Sequence, residues 1–242
     1  MSKTIIANWK SNLNINQAFY WLEQLEEYFF DPTAKSVFAD YSLIIAPPYP
    51  LIPVLYELAL KLRVKLSAQD ISPFSAGSYT GAVCAENLAG LGVSHVIVGH
   101  SERRRYFCET YEMIADKLAQ SWSAEMSTIL CLDEPDIKPQ QLALDEKYPD
   151  WTTHQDLLTI AYEPLSAIGS GQSADPDQLK QLVTTIKQDF NDVPVLYGGS
   201  VTAENIAEFI QIADGVLVGG ASLEVDQFTA LLEEVKKMED LK

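Results

Sequence analysis

The chain has 242 residues, of which 47% are hydrophobic and 21% are charged. This composition is typical of a globular protein with a sizeable core, and it excludes the disordered and fibrous classes. The formal net charge is −17, from 17 basic and 34 acidic residues. Nucleic acid is therefore excluded as a partner, because phosphate contacts require clustered lysine and arginine.

Eight short apolar segments recur along the chain, at residues 4–9, 43–46, 64–68, 95–98, 128–132, 158–162, 193–197 and 215–218. Most are separated by segments with helical periodicity, such as residues 17–29 and 177–190. Asp175-Pro176 has the pattern of an N-cap followed by proline at the first helical position, and Thr202 with Asn205 opens another helix. Eight βα units of about 30 residues each predict one (β/α)₈-barrel domain over residues 1–242, with parallel strands inside a ring of helices.

An open, doubly wound sheet would also alternate strands and helices. It usually has about five to seven strands and a glycine-rich turn after the first, whereas the first strand here ends in Asn8-Trp9-Lys10. Residues 30–42 and 133–155 have poor periodicity, and we interpret both as surface connections. The alternation nevertheless requires a helix in the second of them.

Cysteine and histidine usage indicates neither a disulfide framework nor a metal site. The three cysteines, Cys84, Cys108 and Cys131, are odd in number and lack CxxC spacing, which favours a reducing cytoplasm. The three histidines form no HExxH pair. The N-terminal apolar run is too short for a signal-peptide core or a membrane span, so no membrane association is expected.

Polar residues and glycines follow the predicted strands at their C-terminal ends. In a parallel barrel these ends meet in one mouth, where barrel active sites are built. The sequence therefore predicts a site at this mouth. The residues are Asn8, Lys10, Gln69, His100, Glu163, Gly198, Gly199, Ser200, Gly219 and Gly220.

Three of these side chains carry chemistry, and each also has a purely structural interpretation. Lys10 is either the local cation that an anionic ligand needs or a solvated lysine at the rim. Glu163, beside Pro164, is placed to accept a carbon-bound proton, or it is a structural acid. His100 precedes an apparent helix start, where the positive end favours a neutral, hydrogen-bonding imidazole, or it packs locally.

The glycine pairs after the seventh and eighth strands indicate a phosphate site. Backbone N–H groups at such positions bind phosphate in many barrels, although as separate turns these pairs would be unremarkable. A local device of this kind is needed because the overall negative charge repels anions.

Five motifs together resemble the triosephosphate isomerase family, from Ile6 to about Leu223. In chain order they are residues 7–10 (ANWK), 98–104 (VGHSERR), 161–164 (AYEP), 197–201 (YGGSV) and 217–223 (LVGGASL). The resemblance implies a TIM barrel that interconverts dihydroxyacetone phosphate and D-glyceraldehyde 3-phosphate through an enediolate, with no cofactor and no metal.

The resemblance also implies a role for each matched residue. Glu163 would be the base, neutral His100 the electrophile, and Lys10 the cation that stabilises the oxyanion and attracts the phosphate. Asn8 would be a nearby donor and Glu102 the partner of the lysine. Ser101 and Tyr197 would be supporting residues within the same motifs.

The phosphate, the lid and the subunit contact follow from the same resemblance. Gly169, Ser200, Gly219 and Gly220 would bind the phosphate through backbone N–H groups, and residues 164–171 would form a lid that excludes water. Residues 75–82 resemble the loop that enters a neighbouring subunit, so a homodimer with Thr80 at the contact is expected.

Two departures bear on the lid. Ser166 stands where the family usually has tryptophan, and Gln172 stands where it usually has lysine, which predicts a looser lid. A catalytically impaired phosphate-binding paralogue is therefore the alternative function. A phosphosugar aldolase or synthase is a further alternative, but it would need a Schiff-base lysine or different acids.

Overall fold

The computed structural model describes residues 2–164 and 173–241, and in it eight parallel strands close into a barrel. Each strand pairs with the next, and β8 pairs with β1 to close the ring. The strands are β1 (Thr4–Asn8), β2 (Ser42–Ala46), β3 (Lys65–Ala68), β4 (His95–Val98), β5 (Ser127–Leu132), β6 (Leu158–Tyr162), β7 (Val195–Tyr197) and β8 (Gly215–Val218). The barrel and all eight strands are confirmed within two residues. The largest difference is at β7, which begins after Pro194, a residue without the N–H that a ladder requires.

Ten α-helices lie in the described parts of the chain. They are α1 (Ile15–Tyr28), α2 (Pro32–Val37), α3 (Ile52–Leu62), α4 (Ala85–Ala89), α5 (Ser101–Phe107), α6 (Tyr111–Ser123), α7 (Ile137–Lys147), α8 (Pro176–Asp189), α9 (Ile206–Ile212) and α10 (Val225–Asp240). Within residues 2–164 and 173–241, none of the helices has the length and apolar character needed to cross a membrane.

Capping residues explain where the predicted helices begin. Asn14 and Gln17 form a capping box at the start of α1, and the Asp175 side chain accepts a hydrogen bond from the Gln178 backbone N–H at the start of α8. Both helices are confirmed. The helix near residue 202 is also confirmed, but Asn205 is its N-cap residue, and Thr202 lies in the preceding turn.

The interpretation of residues 30–42 and 133–155 as surface connections is wrong, because each contains a helix. Asp31 caps α2, whose short length and one buried residue, Ala34, give no visible periodicity. In α7 the polar residue Gln140 is fully buried and donates a hydrogen bond to the Tyr111 carbonyl, so the buried face is not purely apolar. The helix that alternation required is therefore present.

The alternation of side chains along the strands divides the core into two layers and also positions the site. One layer fills the barrel and includes Ile6, Ala161 and Leu217, while the other lies between strands and helices. Because side chains alternate every two residues, positions two after these inner residues face the barrel mouth. Those positions are Asn8, Glu163 and Gly219.

Candidate active site

A cavity of about 520 Å³ lies at the C-terminal ends of the strands, where barrel active sites occur. Its lining includes ten residues from the sequence prediction: Asn8, Lys10, His100, Glu102, Glu163, Gly198, Gly199, Ser200, Gly219 and Gly220. Gln69 lines an adjoining cavity that shares Asn8, Lys10, His100 and Glu102. The predicted positions Ser166, Gly169 and Gln172 lie outside the described residues, as does most of the predicted lid.

Glu163 and His100 form the chemical centre of this cavity. Glu163 is 2% exposed and His100 is 6% exposed. His100 Nε2 lies 3.2 Å from Glu163 Oε1, and the Ser101 backbone N–H donates to Glu163 Oε2 at 3.3 Å. The carboxylate is thus held by one imidazole and one backbone donor.

The hydrogen bonds of His100 assign its tautomer. His100 is the N-cap residue of α5, and its Nδ1 accepts a hydrogen bond from the Glu102 backbone N–H at 3.2 Å. A nitrogen that accepts carries no proton, so the proton of the neutral ring is on Nε2. The donor side of the imidazole therefore faces the carboxylate and the cavity.

Two neighbours confine the Glu163 side chain. A Cβ atom at Gly198 would lie 2.9 Å from Glu163 Cγ, so the close packing at this point requires glycine. The second neighbour is the buried thiol of Cys131, whose pKa is raised by burial and further by the Glu163 carboxylate. A neutral thiol leaves the carboxylate as the negative group at this position.

Lys10 adopts a left-handed conformation, with φ of 50°, which is uncommon for a residue other than glycine. Its N–H donates to Asn8 Oδ1 at 3.1 Å, and its carbonyl accepts from Gln69 Nε2 at 2.8 Å. Its ammonium group lies 2.6 Å from Glu102 Oε1. Backbone contacts therefore hold the lysine at the mouth, and Glu102 holds its charge.

The glycines after β8 present backbone donors to the cavity. The N–H groups of Gly219 and Gly220 donate to no other residue within the part of the chain that the structure describes. A Cβ atom at Gly219 would lie 3.6 Å from Lys10 Cε. Free N–H groups beside a lysine are suited to an anion such as phosphate.

The loop after β7 also lines the cavity. The Ser200 carbonyl accepts a hydrogen bond from Asn205 Nδ2 at 3.0 Å, and the Tyr197 hydroxyl accepts one from the Ala174 backbone N–H at 2.9 Å. A Cβ atom at Gly199 would lie 2.2 Å from the Tyr197 hydroxyl, so only glycine fits there. Tyr197 therefore links this loop to the chain that follows residue 172.

Comparison with known proteins assigns this arrangement to a family. The family model described as triosephosphate isomerase matches residues 3–235. The chain belongs to the triosephosphate isomerase family. Similar relatives, each named triosephosphate isomerase, come from Thermus thermophilus, with 34% identity over 96% of this chain and 98% of the relative, and from Mesomycoplasma hyorhinis, with 35% identity over 96% and 98%. Another, from Saccharopolyspora erythraea, is 36% identical over 94% of each chain.

Membership of the triosephosphate isomerase family confirms the predicted barrel and the predicted class of enzyme, an isomerase. The matches extend over nearly the whole chain, and they favour neither the aldolase or synthase nor the impaired paralogue. Across residues 2–164 and 173–241, no group of three or more acidic, histidine or cysteine side chains is placed to bind a metal ion.

Three residues at this isomerase site were given no role from the sequence. They are Gln69, which follows the third strand, Cys131 and Arg104. Arg104 donates to the carbonyls of Gly99 and Cys131, at 2.9 and 3.2 Å, and so joins the ends of β4 and β5. The alternation of side chains along the strands indicates Gln69 and Cys131, because each lies on the inner side of the barrel near a strand end.

The predicted subunit loop, residues 75–82, is exposed in the single chain. Phe74 and Tyr79 stack with ring centroids 4.3 Å apart, although both rings are nearly half exposed. Thr80 lies next to this stacked pair and is itself exposed.

Proposed function

We propose that the mouth of the barrel interconverts dihydroxyacetone phosphate and D-glyceraldehyde 3-phosphate through an enediolate. The observation that carries the proposal is the buried pair formed by Glu163 and His100, 3.2 Å apart in a cavity that also holds Lys10. A carboxylate base, a neutral donor and a cation are the three groups that this isomerisation needs.

Glu163 acts as the base. Its carboxylate removes a proton from C1 of dihydroxyacetone phosphate, and the electrons of that bond form the enediolate. The same carboxyl group, whose proton exchanges with solvent, then donates a proton to C2, which gives the aldehyde. Because every step moves a proton between the chain and its substrate, the scheme balances without a cofactor or a metal.

His100 acts as the electrophile through Nε2–H. A hydrogen bond from this group to the substrate carbonyl oxygen stabilises the negative charge that develops there as Glu163 removes the proton. The bond between Nδ1 and the Glu102 N–H supports this role, since it directs the proton to Nε2. His100 then moves protons between the two enediolate oxygens.

Lys10 and the glycine N–H groups hold the substrate. The Lys10 ammonium stabilises the oxyanion and attracts the phosphate, with Asn8 beside it and Glu102 as its ionic partner. Gly219, Gly220 and Ser200 bind the phosphate. Gly169, in the lid proposed for residues 164–171, is proposed to complete this set.

A coupled assay of glyceraldehyde 3-phosphate conversion tests the proposal on purified protein. Glu163→Gln, purified in the same way, reports any contaminating host enzyme. We expect robust turnover that the variant lacks. Equal turnover in both proteins, or none in either, would contradict the proposed function.

We also propose that the isomerase is a homodimer in which Thr80 of the 75–82 loop contacts the partner subunit. The exposed stack of Phe74 and Tyr79 supports this, because exposed aromatic rings are favoured at interfaces. Light scattering should give twice the chain mass of 26.9 kDa. Thr80→Arg should shift it towards one chain, while Thr152→Arg, at an exposed position elsewhere, should not. A wild-type mass of 26.9 kDa would contradict the dimer.

The remaining proposals concern organisation and location. We propose a single barrel domain over residues 1–242, supported by the pairing of β1 with β8, which brings the two ends of the described barrel together. We propose a cytoplasmic location, supported by three free cysteines. Limited proteolysis that releases a stable fragment would contradict the single domain. Fractionation of cells would test the cytoplasmic location.

A further inference from the structure

A second cavity, of about 460 Å³, lies at the opposite end of the barrel from the proposed active site. It is bounded by the C-terminal ends of α1 and α3, by α2 and the turn after it, and by the start of β2. Strand β2 runs from Ser42 at this end to Ala46 at the mouth, where the Ala46 carbonyl accepts from Gln69. The two cavities are therefore separated by the length of the barrel.

The walls of this cavity are largely aromatic and aliphatic. Phe29 and Phe38 meet edge to face with centroids 6.0 Å apart, and Phe38 meets Tyr41 in the same way at 5.3 Å. Leu62 completes the wall, and at the rim Phe30 is 73% exposed. A volume between about 300 and 1,000 Å³ with mostly apolar walls is typical of small-molecule sites.

The charge around this cavity is opposite to that of the chain. Its lining contains three cations, Lys35, Lys61 and Arg63, and one acid, Glu26, whereas the whole chain has twice as many acidic as basic residues. Lys61 is paired with Glu26 at 2.5 Å. The charged groups of Lys35 and Arg63 make no hydrogen bond or ion pair with any described residue. Two unpaired cations therefore border an apolar cavity.

We propose that this cavity binds a small organic anion with an aromatic or other apolar body. The body packs on Phe29 and Phe38, and the anionic group pairs with Lys35 and Arg63. An apolar molecule without a charge gains only the first of these contacts, and an inorganic anion gains only the second. The combination of both features selects the ligand class.

Two fluorescent probes with the same aromatic body separate these contributions. 8-Anilinonaphthalene-1-sulfonate carries one negative charge, and N-phenyl-1-naphthylamine is its uncharged counterpart. In titrations of the wild-type protein, we expect one saturable site for the sulfonate. The uncharged probe should bind at least several-fold more weakly. Equal affinities for the two probes would overturn the proposed role of charge.

A charge-neutralising pair of substitutions tests the site itself. Lys35→Gln with Arg63→Gln should raise the dissociation constant of the sulfonate on the order of tenfold, with little change for the uncharged probe. Lys138→Gln with Lys180→Gln removes the same charge from exposed positions elsewhere and should change neither. An equal effect of both pairs, or no effect of the first, would overturn the proposal.

Filling the cavity gives an independent test. Ala39→Phe adds an aromatic side chain to its lining and should weaken both probes. Turnover should be unchanged, because this cavity is remote from Glu163 and His100, and circular dichroism should confirm the fold. Displacement of the sulfonate by dihydroxyacetone phosphate would place the probe in the proposed active site and overturn the inference. Loss of turnover in Ala39→Phe without loss of probe binding would also overturn the inference.

Discussion

His100 Nε2 lies 3.2 Å from Glu163 Oε1, and both side chains are almost completely buried. With Nδ1 occupied by the Glu102 N–H, the proton on Nε2 faces the carboxylate. The proposed donor and the proposed base are thus in contact before a substrate enters. A substrate carbonyl that takes the hydrogen bond from Nε2 would release the carboxylate for the neighbouring carbon.

Shortening the base tests its position. Glu163→Asp keeps the carboxylate but withdraws it by roughly 1 Å, so we expect kcat to fall on the order of 10²-fold, with a much smaller change in KM. Steady-state kinetics in both directions measure this. Full turnover in the variant would remove Glu163 from the mechanism.

Gln69 is predicted to position Lys10 without contacting the substrate. Its Nε2 donates to the carbonyls of Lys10 and Ala46, both at 2.8 Å, and the left-handed backbone of Lys10 depends on such support. Gln69→Met should destabilise the protein by about 1–3 kcal/mol and raise KM several-fold more than it lowers kcat. Gln211→Met, at an exposed position on α9, is the control. Unchanged KM in Gln69→Met would contradict the positioning role.

Lys117 is the centre of a buried ionic cluster behind the site. It is 2% exposed and pairs with Glu109 and Asp70, while Arg103 pairs with the same two acids. Lys117→Met would leave both acids with only Arg103, so we expect a loss of about 3–5 kcal/mol in the free energy of unfolding.

Urea denaturation measures this loss. The control is Lys237→Met, which removes an exposed pair with Glu234 and should change stability far less than Lys117→Met does. Similar stabilities of the two variants would show that the buried cluster contributes no more than a surface pair.

Much of this barrel could be predicted from the sequence, because each strand lies in a short apolar run and most of these runs contain β-branched residues. The mouth residues followed from their positions at the C-terminal ends of the predicted strands. Helix α2 was missed because it buries only Ala34, and α7 was obscured by its buried Gln140. Local sequence patterns do not reveal a buried polar side chain whose hydrogen-bond partner is a carbonyl far away along the chain.

The contacts within the site could not be predicted from local sequence, because they form only when the strands close into a barrel. Cys131 pairs with Ala161 in the register of β5 and β6. Ala161 lies two residues before Glu163, which explains why the Cys131 thiol is near the Glu163 carboxylate. The contact between His100 and Glu163 likewise brings together residues that follow β4 and β6. Neither relationship follows from the order of the residues along the chain.

His95 should make stability depend on pH. Burial, with a smaller contribution from Lys65, lowers its pKa from 6.5 to about 4. Because the folded-state pKa is below the unfolded value, the unfolded chain binds the proton first. The stability that neutral His95 contributes is therefore present above pH 6.5 and is lost as the pH falls towards 4. We expect the free energy of unfolding to fall by about 2 kcal/mol over this range, after allowance for partial exposure.

Denaturation at several pH values tests this prediction. His95→Gln should lose less stability between pH 6.5 and 4 than the wild-type protein, and His154→Gln is the matched histidine control. Parallel pH profiles for the wild-type protein and His95→Gln would contradict the assignment.

The most direct test of the proposed mechanism is to convert dihydroxyacetone phosphate in D₂O and to measure deuterium at C2 of the product by NMR. A proton that passes through the Glu163 carboxyl group exchanges with solvent, so we expect labelled product from the wild-type protein and negligible product from Glu163→Gln. Product without deuterium at C2, or labelled product from the variant at the wild-type rate, would contradict the account.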